Sequence, residues 1–127
     1  MKIIHYADRK DAEGDRLERI LGLFTGKGAI LTCRSLGSLR TKLRQPCNYD
    51  DVLLIYPSNR KGLAELVALR ELMVPMKIVL VLPDREEATV AMGHLLRPRM
   101  ISYNDSDFLD VAAVLVRMRE NQEMRPL

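Results

Sequence analysis

Asp51-Val52-Leu53-Leu54-Ile55-Tyr56-Pro57-Ser58-Asn59 reads as a buried strand running into a turn: an unbroken apolar run between Asp51 and Pro57, followed by residues that favour turns and helix starts. A strand that is apolar at every position has no face left for solvent, so it belongs in the middle of a parallel sheet covered on both sides. Similarly short apolar runs lie on either side of it in the chain, at Ile3 to Tyr6, Ala29 to Cys33, Ile78 to Leu82 and Met100 to Tyr103. Amphipathic segments separate them.

Those segments read as helices. The first places Leu17, Ile20, Leu21 and Phe24 at helical spacing, and Gly26 and Gly28 stop it. Thr25-Gly-Lys-Gly28 resembles a phosphate loop only superficially, because it follows a helix and has no Ser or Thr after the Lys. The second opens at Ser35 as N-cap, carries Leu36, Leu39 and Leu43, and ends at Gln45-Pro46. The third starts at Ser58-Asn-Arg-Lys61, a cap followed by two cations, and puts Leu63, Leu66, Val67 and Met73 on one face. Asp84-Arg-Glu-Glu87 predicts a capping box for the fourth, which buries Met92, Leu95 and Leu96 and closes before Pro98. The fifth follows Asn104-Asp-Ser-Asp107, shows Phe108, Val111, Ala112, Leu115 and Met118 at helical periodicity, and fades after Arg119.

Strict alternation of strand and helix predicts a parallel sheet with right-handed crossovers and helices on both faces. The more polar Arg99-Met-Ile-Ser-Tyr103 fits an edge strand. The expected fold is therefore an α/β three-layer α/β/α sandwich with a five-stranded parallel sheet in the order 2-1-3-4-5, a flavodoxin-like (βα)5 domain over residues 1–120 with a polar C-terminal tail at 121–127. A chain of 127 residues suits one such domain. Twenty basic and 17 acidic residues leave a net charge of +3, too small an excess to argue for a polyanion partner. No run reaches membrane-spanning length and charge interrupts the start, so a cytoplasmic protein without a membrane contact is expected. Cys33 and Cys47 fall near opposite ends of the sheet and are expected as separate thiols.

In such sheets ligands bind at the C-terminal strand ends, which here carry Tyr6 to Asp8, Cys33 to Ser35, Tyr56 to Lys61, Leu82 to Asp84 and Tyr103 to Asp107. By element order and spacing, residues 1 to 119 resemble the receiver domains of two-component response regulators. Asp51-Val-Leu-Leu-Ile55 is similar to the third strand of that family, Gly62-Leu-Ala-Glu65 to its Gly-Leu-Glu helix start, and the spacing from Leu82 to Asn104 to that between its switch Thr and its Lys. The resemblance implies a site in which acids after strand one hold Mg²⁺, an Asp ending strand three accepts a phosphoryl group, and a Thr or Ser and a Lys end strands four and five. The matching positions are Ala7 with Asp8, then Tyr56, Leu82 and Asn104, and the family's toggling aromatic falls on Ile101. A phenol cannot replace the acceptor carboxylate, so aspartyl phosphorylation is not expected.

Tyr6, Tyr56 and Tyr103 all end strands and turn an acidic site amphipathic. They plug the site with hydroxyls bonded to neighbouring loops, or they form, with Asp8, Ser58 and Arg60, a pocket for a small ligand or nucleotide, or they serve as a contact for a partner protein. An anion at Ser58 to Lys61 competes with simple helix capping. The cluster Asp8, Asp84, Asp105 and Asp107 is a weak case for a hard metal, because Asp84, Asp105 and Asp107 are each better explained as helix-start residues, and no metal or cofactor is expected. His5 and His94 have no nucleophile and acid near them in sequence, so no catalytic residue is assigned.

Arg34, Arg40, Lys42 and Arg44 form a basic stretch without interleaved aromatics, a weak case for nucleic acid. Arg97, Arg99, Arg117 and Arg119 form a second basic group. The resemblance implies that the face built by the fourth helix, fifth strand and fifth helix docks a partner or a second copy, with Arg97, Arg99 and Tyr103 as contacts. The expected function is a phosphorylation-independent regulatory or protein-interaction domain of bacterial signalling, not an enzyme. The alternative is a small-ligand or nucleotide-binding domain, with enzymatic activity a possibility.

Overall fold

The computed structural model describes residues 1–24, 30–46 and 51–123. The chain runs β1 (Ile3–Ala7), α1 (Ala12–Phe24), β2 (Ile30–Cys33), α2 (Leu36–Leu43), β3 (Val52–Tyr56), α3 (Arg60–Val67), a 3-10 turn (Arg70–Met73), β4 (Lys77–Leu82), α4 (Glu87–His94), β5 (Met100–Tyr103) and α5 (Leu109–Glu123). The strands pair in parallel in the order β2-β1-β3-β4-β5. Helices cover both faces, which makes the three-layer α/β/α flavodoxin-like sandwich that the alternating pattern predicts.

β3 lies at the centre, between β1 and β4, and every one of its residues is buried. Its pleat divides the core. Leu53 and Ile55 face α2, α3 and α4, where Leu39, Leu43, Leu63, Leu66 and Leu96 meet them. Val52, Leu54 and Tyr56 face α1 and α5, against Leu17, Leu21, Phe108, Val111 and Leu115. Each fully buried Leu, Ile or Val contributes about 1.5–3 kcal/mol, so the centre of the sheet dominates stability. β2, at the edge, leaves Leu31 exposed.

Local signals hold at most helix starts and fail at one. Ser35 caps α2 as expected, accepting from the Ser38 amide at 3.1 Å. The cap of α3 is Asn59, whose Oδ1 accepts from the Gly62 amide at 2.8 Å. The capping box at Asp84 and Glu87 does not form. Asp84 accepts from the Glu86 amide at 2.9 Å and α4 starts only at Glu87, because Arg85 is drawn to Asp105 and Glu86 to Arg60.

The buried side of α4 is Thr89, Gly93 and Leu96, whereas Met92 is half-buried and Leu95 exposed, a correction to the expected stripe. Gly93 sets that rotation: a Cβ there would lie 3.0 Å from Leu80 Cδ2 and 3.3 Å from Leu82 Cδ2, so the helix rests directly on β4. Arg97, at φ 51°, turns the chain before Pro98. Met73 packs from the 3-10 turn, since α3 ends at Val67. Phe24 is only partly covered. The five expected apolar residues of α5 are all buried, and the helix continues past Arg119 to Glu123. Cys33 is buried with a free thiol. The glycine stop at Gly26 and Gly28, Ala29, Cys47 and residues 124–127 lie outside the described residues. Among those described, no helix is long and apolar enough to cross a membrane.

Candidate functional site

The parallel sheet sends the loops after β1, β3, β4 and β5 to one edge, where Asp8, Tyr56, Leu82 and Asn104 stand. Ala7 registers with Tyr56, so Asp8 lies beside the turn that leads into α3. Its Oδ1 accepts from the Ser58 amide at 3.1 Å and its Oδ2 from the Ser58 hydroxyl at 3.0 Å. The missing side chain of Gly62 makes room, since a Cβ there would lie 3.2 Å from Asp8 Oδ2. With Asn59 on the Gly62 amide as well, carboxylate and amide oxygens of the chain itself fill the place where an anion would sit.

Of the two cations of this turn, Arg60 is engaged too. Arg60 Nε donates to Thr89 Oγ1 at 3.0 Å, and its guanidinium pairs with Glu86, so Arg60 braces α3 against α4 instead of facing a pocket. Arg85 pairs with Asp105 at 2.9 Å and lies over the Tyr103 ring, 4.0 Å from its centroid. From α1, Arg16 reaches the loop between β5 and α5 and donates to the carbonyls of Asn104 at 3.0 Å and Ser106 at 2.8 Å. Its guanidinium also stands 4.9 Å from the Phe108 ring centroid.

The three strand-end tyrosines do not line a common pocket. Tyr6 and Tyr103 lie on the face covered by α2, α3 and α4, and Tyr56 on the face covered by α1 and α5. The Tyr56 hydroxyl donates to Asp11 Oδ2 at 3.5 Å, with Asn104 beside it. Asp11 also caps α1, accepting from the Gly14 amide at 2.7 Å. Burial, then the charges of Asp11 and Glu13, push the Tyr56 phenol up to about 12; burial, then Asp8 and Glu65, do the same for Tyr6. Both phenols are neutral donors at physiological pH. The set Tyr6, Asp8, Tyr56, Ser58, Arg60 and Tyr103 is thus split by the sheet and by its own internal bonds.

The other acids have local work. Asp84 holds the Glu86 amide, Asp105 pairs with Arg85, and Asp107 accepts from the Leu109 amide at 3.0 Å. Among the described residues no group of three or more His, Cys, Asp or Glu side chains is placed to hold a metal ion. His5 is fully buried, with Nδ1 3.2 Å from the Leu54 carbonyl, which fixes the proton on Nδ1. Its Nε2 has no hydrogen-bond partner and lies 3.8 Å from Glu18, which pairs with Arg34. Burial pulls the His5 pKa below 6.5.

Arg97 and Tyr103, expected as parts of one contact surface, stand at opposite ends of β5, with Arg99 exposed at its start. Arg97 instead borders a cleft of about 510 Å³ at the far edge of the sheet, walled by the 3-10 turn and the end of α4. A shallower groove of about 420 Å³ runs along α5 at Leu109, Ala113 and Val116, beside Phe24. Asp11, Arg16, Arg85 and the cleft escaped the reading from sequence. Only Asp11, as an N-cap residue three before Gly14, had a local signal. A scan of protein-family models gives no match to the chain, and a search of curated proteins gives none either.

Proposed function

We propose that the chain is a phosphorylation-independent, receiver-like regulatory domain of bacterial signalling that works in the cytoplasm through protein contacts and not as an enzyme. The observation that carries this reading is the self-satisfied C-terminal edge of the sheet. Asp8 is bonded to Ser58, Tyr56 to Asp11, Arg60 to Thr89 and Glu86, and Arg16 to two loop carbonyls. An enzyme or nucleotide site at this edge needs donors and acceptors left over for the ligand, and these four side chains spend theirs within the chain, save Arg16 Nε, which is buried without a hydrogen bond. Aspartyl phosphorylation also needs an acceptor carboxylate where buried Tyr56 offers a neutral phenol.

Incubation with acetyl phosphate and Mg²⁺ tests the first half: the intact mass stays unchanged, and an acid-stable or labile phosphoryl adduct would overturn the reading. Thermal-shift titration with nucleotides tests the second half, with no saturable stabilisation expected. A saturable rise in melting temperature would restore the small-ligand alternative.

A further inference from the structure

We infer that the cleft between the Arg70–Met73 turn and the end of α4 docks an acidic, amphipathic segment of a partner protein, inserting a bulky apolar side chain with carboxylates against Arg70 and Arg97. This deepens the proposed interaction role and rests on it. The floor is apolar: Met73, Met76, Ile78 and Leu96 are each less than a tenth exposed. At its mouth stand Val74, 78% exposed, and Leu95, 57% exposed, two large apolar side chains that the domain leaves in water on either side of one opening. At about 510 Å³ the space lies within the range of about 300–1,000 Å³ common for binding clefts.

The rim supplies the sign of the partner. Arg70 and Arg97 face the cleft from its two walls, with Glu71 the opposing charge and His94 a further polar group. Neither guanidinium has an acidic partner among the described residues; Arg70 Nη1 donates only to the Val67 carbonyl, at 3.1 Å. This is the reverse of the strand-end edge, where Arg34, Arg60 and Arg85 each meet a carboxylate. The end of α4 attracts cations to this place, but Arg70 comes from the other wall and owes nothing to that dipole. Two unpaired guanidiniums around an apolar floor complement a segment that carries carboxylates beside an apolar anchor. The floor is half methionine, whose unbranched thioether chains repack around anchors of different shape. Partner contact would therefore not require one exact sequence.

A phage-displayed peptide library selected on the intact chain tests this, with enriched peptides synthesised and titrated by NMR. Enriched sequences should pair a Leu, Ile, Phe or Trp with Asp or Glu, and shift the Met73, Val74, Met76 and Leu95 signals in a saturable way. Arg70→Glu with Arg97→Asp, both at exposed positions, should weaken binding at least tenfold and raise it for charge-reversed peptides. Val74→Ser with Leu95→Ser should weaken binding similarly without altering the charge. The inference is overturned if no peptide enriches, if enriched peptides are basic, or if their shifts map to the strand-end edge. It is overturned in favour of a second copy if the chain self-associates in sedimentation and Leu95→Ser abolishes that. A chain that refuses phosphate and nucleotide yet binds no acidic peptide loses this inference alone, whereas a phosphoryl adduct removes the regulatory reading beneath it.

Discussion

The two ends of the sheet are built by the same kind of loop, yet they treat their side chains in opposite ways. At the C-terminal end, Asp8, Tyr56, Arg60, Arg85 and Arg16 all find partners from distant parts of the chain. At the other end, beside Ile78, two apolar side chains stand exposed and two guanidiniums meet no carboxylate among the described residues. Loops after parallel strands converge and can satisfy one another. The short turn of Arg70–Met73 and the end of α4 instead stand apart and leave an opening. The location of a strand-end edge therefore says where a ligand site can be, and the state of its hydrogen bonds says whether one is free.

The largest expected effect comes from placing a carboxylate in the filled end. Tyr56→Asp removes a buried ring and places a charge beside Asp11, which should lower stability by about 3 kcal/mol or more in urea unfolding at neutral pH. Full retention of stability would mean that this end is far less closed than its bonds indicate. Next is Gly93→Ala, on the wall that leads to the cleft. The new methyl meets Leu80 and Leu82, both fully buried, and a net loss of about 1–2 kcal/mol is expected despite the better helix propensity of Ala.

His5, buried midway along β1 between the two ends, makes stability depend on pH. Its pKa is lowered on folding, so the unfolded chain binds the extra proton as pH drops below 6.5, and folding stability falls with it. The expected slope is at most about 1.4 kcal/mol per pH unit, and it should flatten in His5→Gln. Equal slopes in the two proteins would remove His5 from the account. Asp8→Asn keeps the shape but loses the charged acceptor of the Ser58 amide and hydroxyl, which should cost about 1 kcal/mol. The smallest effect belongs to Arg85→Ala, whose ion pair is exposed to solvent and screened; the melting temperature should stay near that of the parent chain.

The fold was legible because burial leaves a local trace. Val52 to Tyr56 is apolar at every position, Phe108 to Met118 repeats at helical spacing, and both periods are properties of a few neighbours in sequence. The site was legible only as a set of strand ends. Whether Tyr6 and Tyr56 share a face depends on register: Tyr6 pairs with Ile55 and Ala7 with Tyr56, so an offset of one residue puts the rings on opposite sides of the sheet. The Asp8 to Ser58 bonds join residues 50 apart, and Arg16 reaches carbonyls 88 and 90 residues away. No periodicity records such pairings. The cleft escaped for a related reason, since Leu95 looks like a core residue until the rotation of α4 on Gly93 turns it outward.

Arg16 ties two helices through a loop that belongs to only one of them. Phe108 begins α5 at φ 62°, a backbone state that bulky residues adopt only when their surroundings enforce it, and Arg16 stands against its ring while holding the two carbonyls before it. One side chain of α1 thereby fixes the path by which the chain leaves β5 and enters α5, so the two helices share a single anchor.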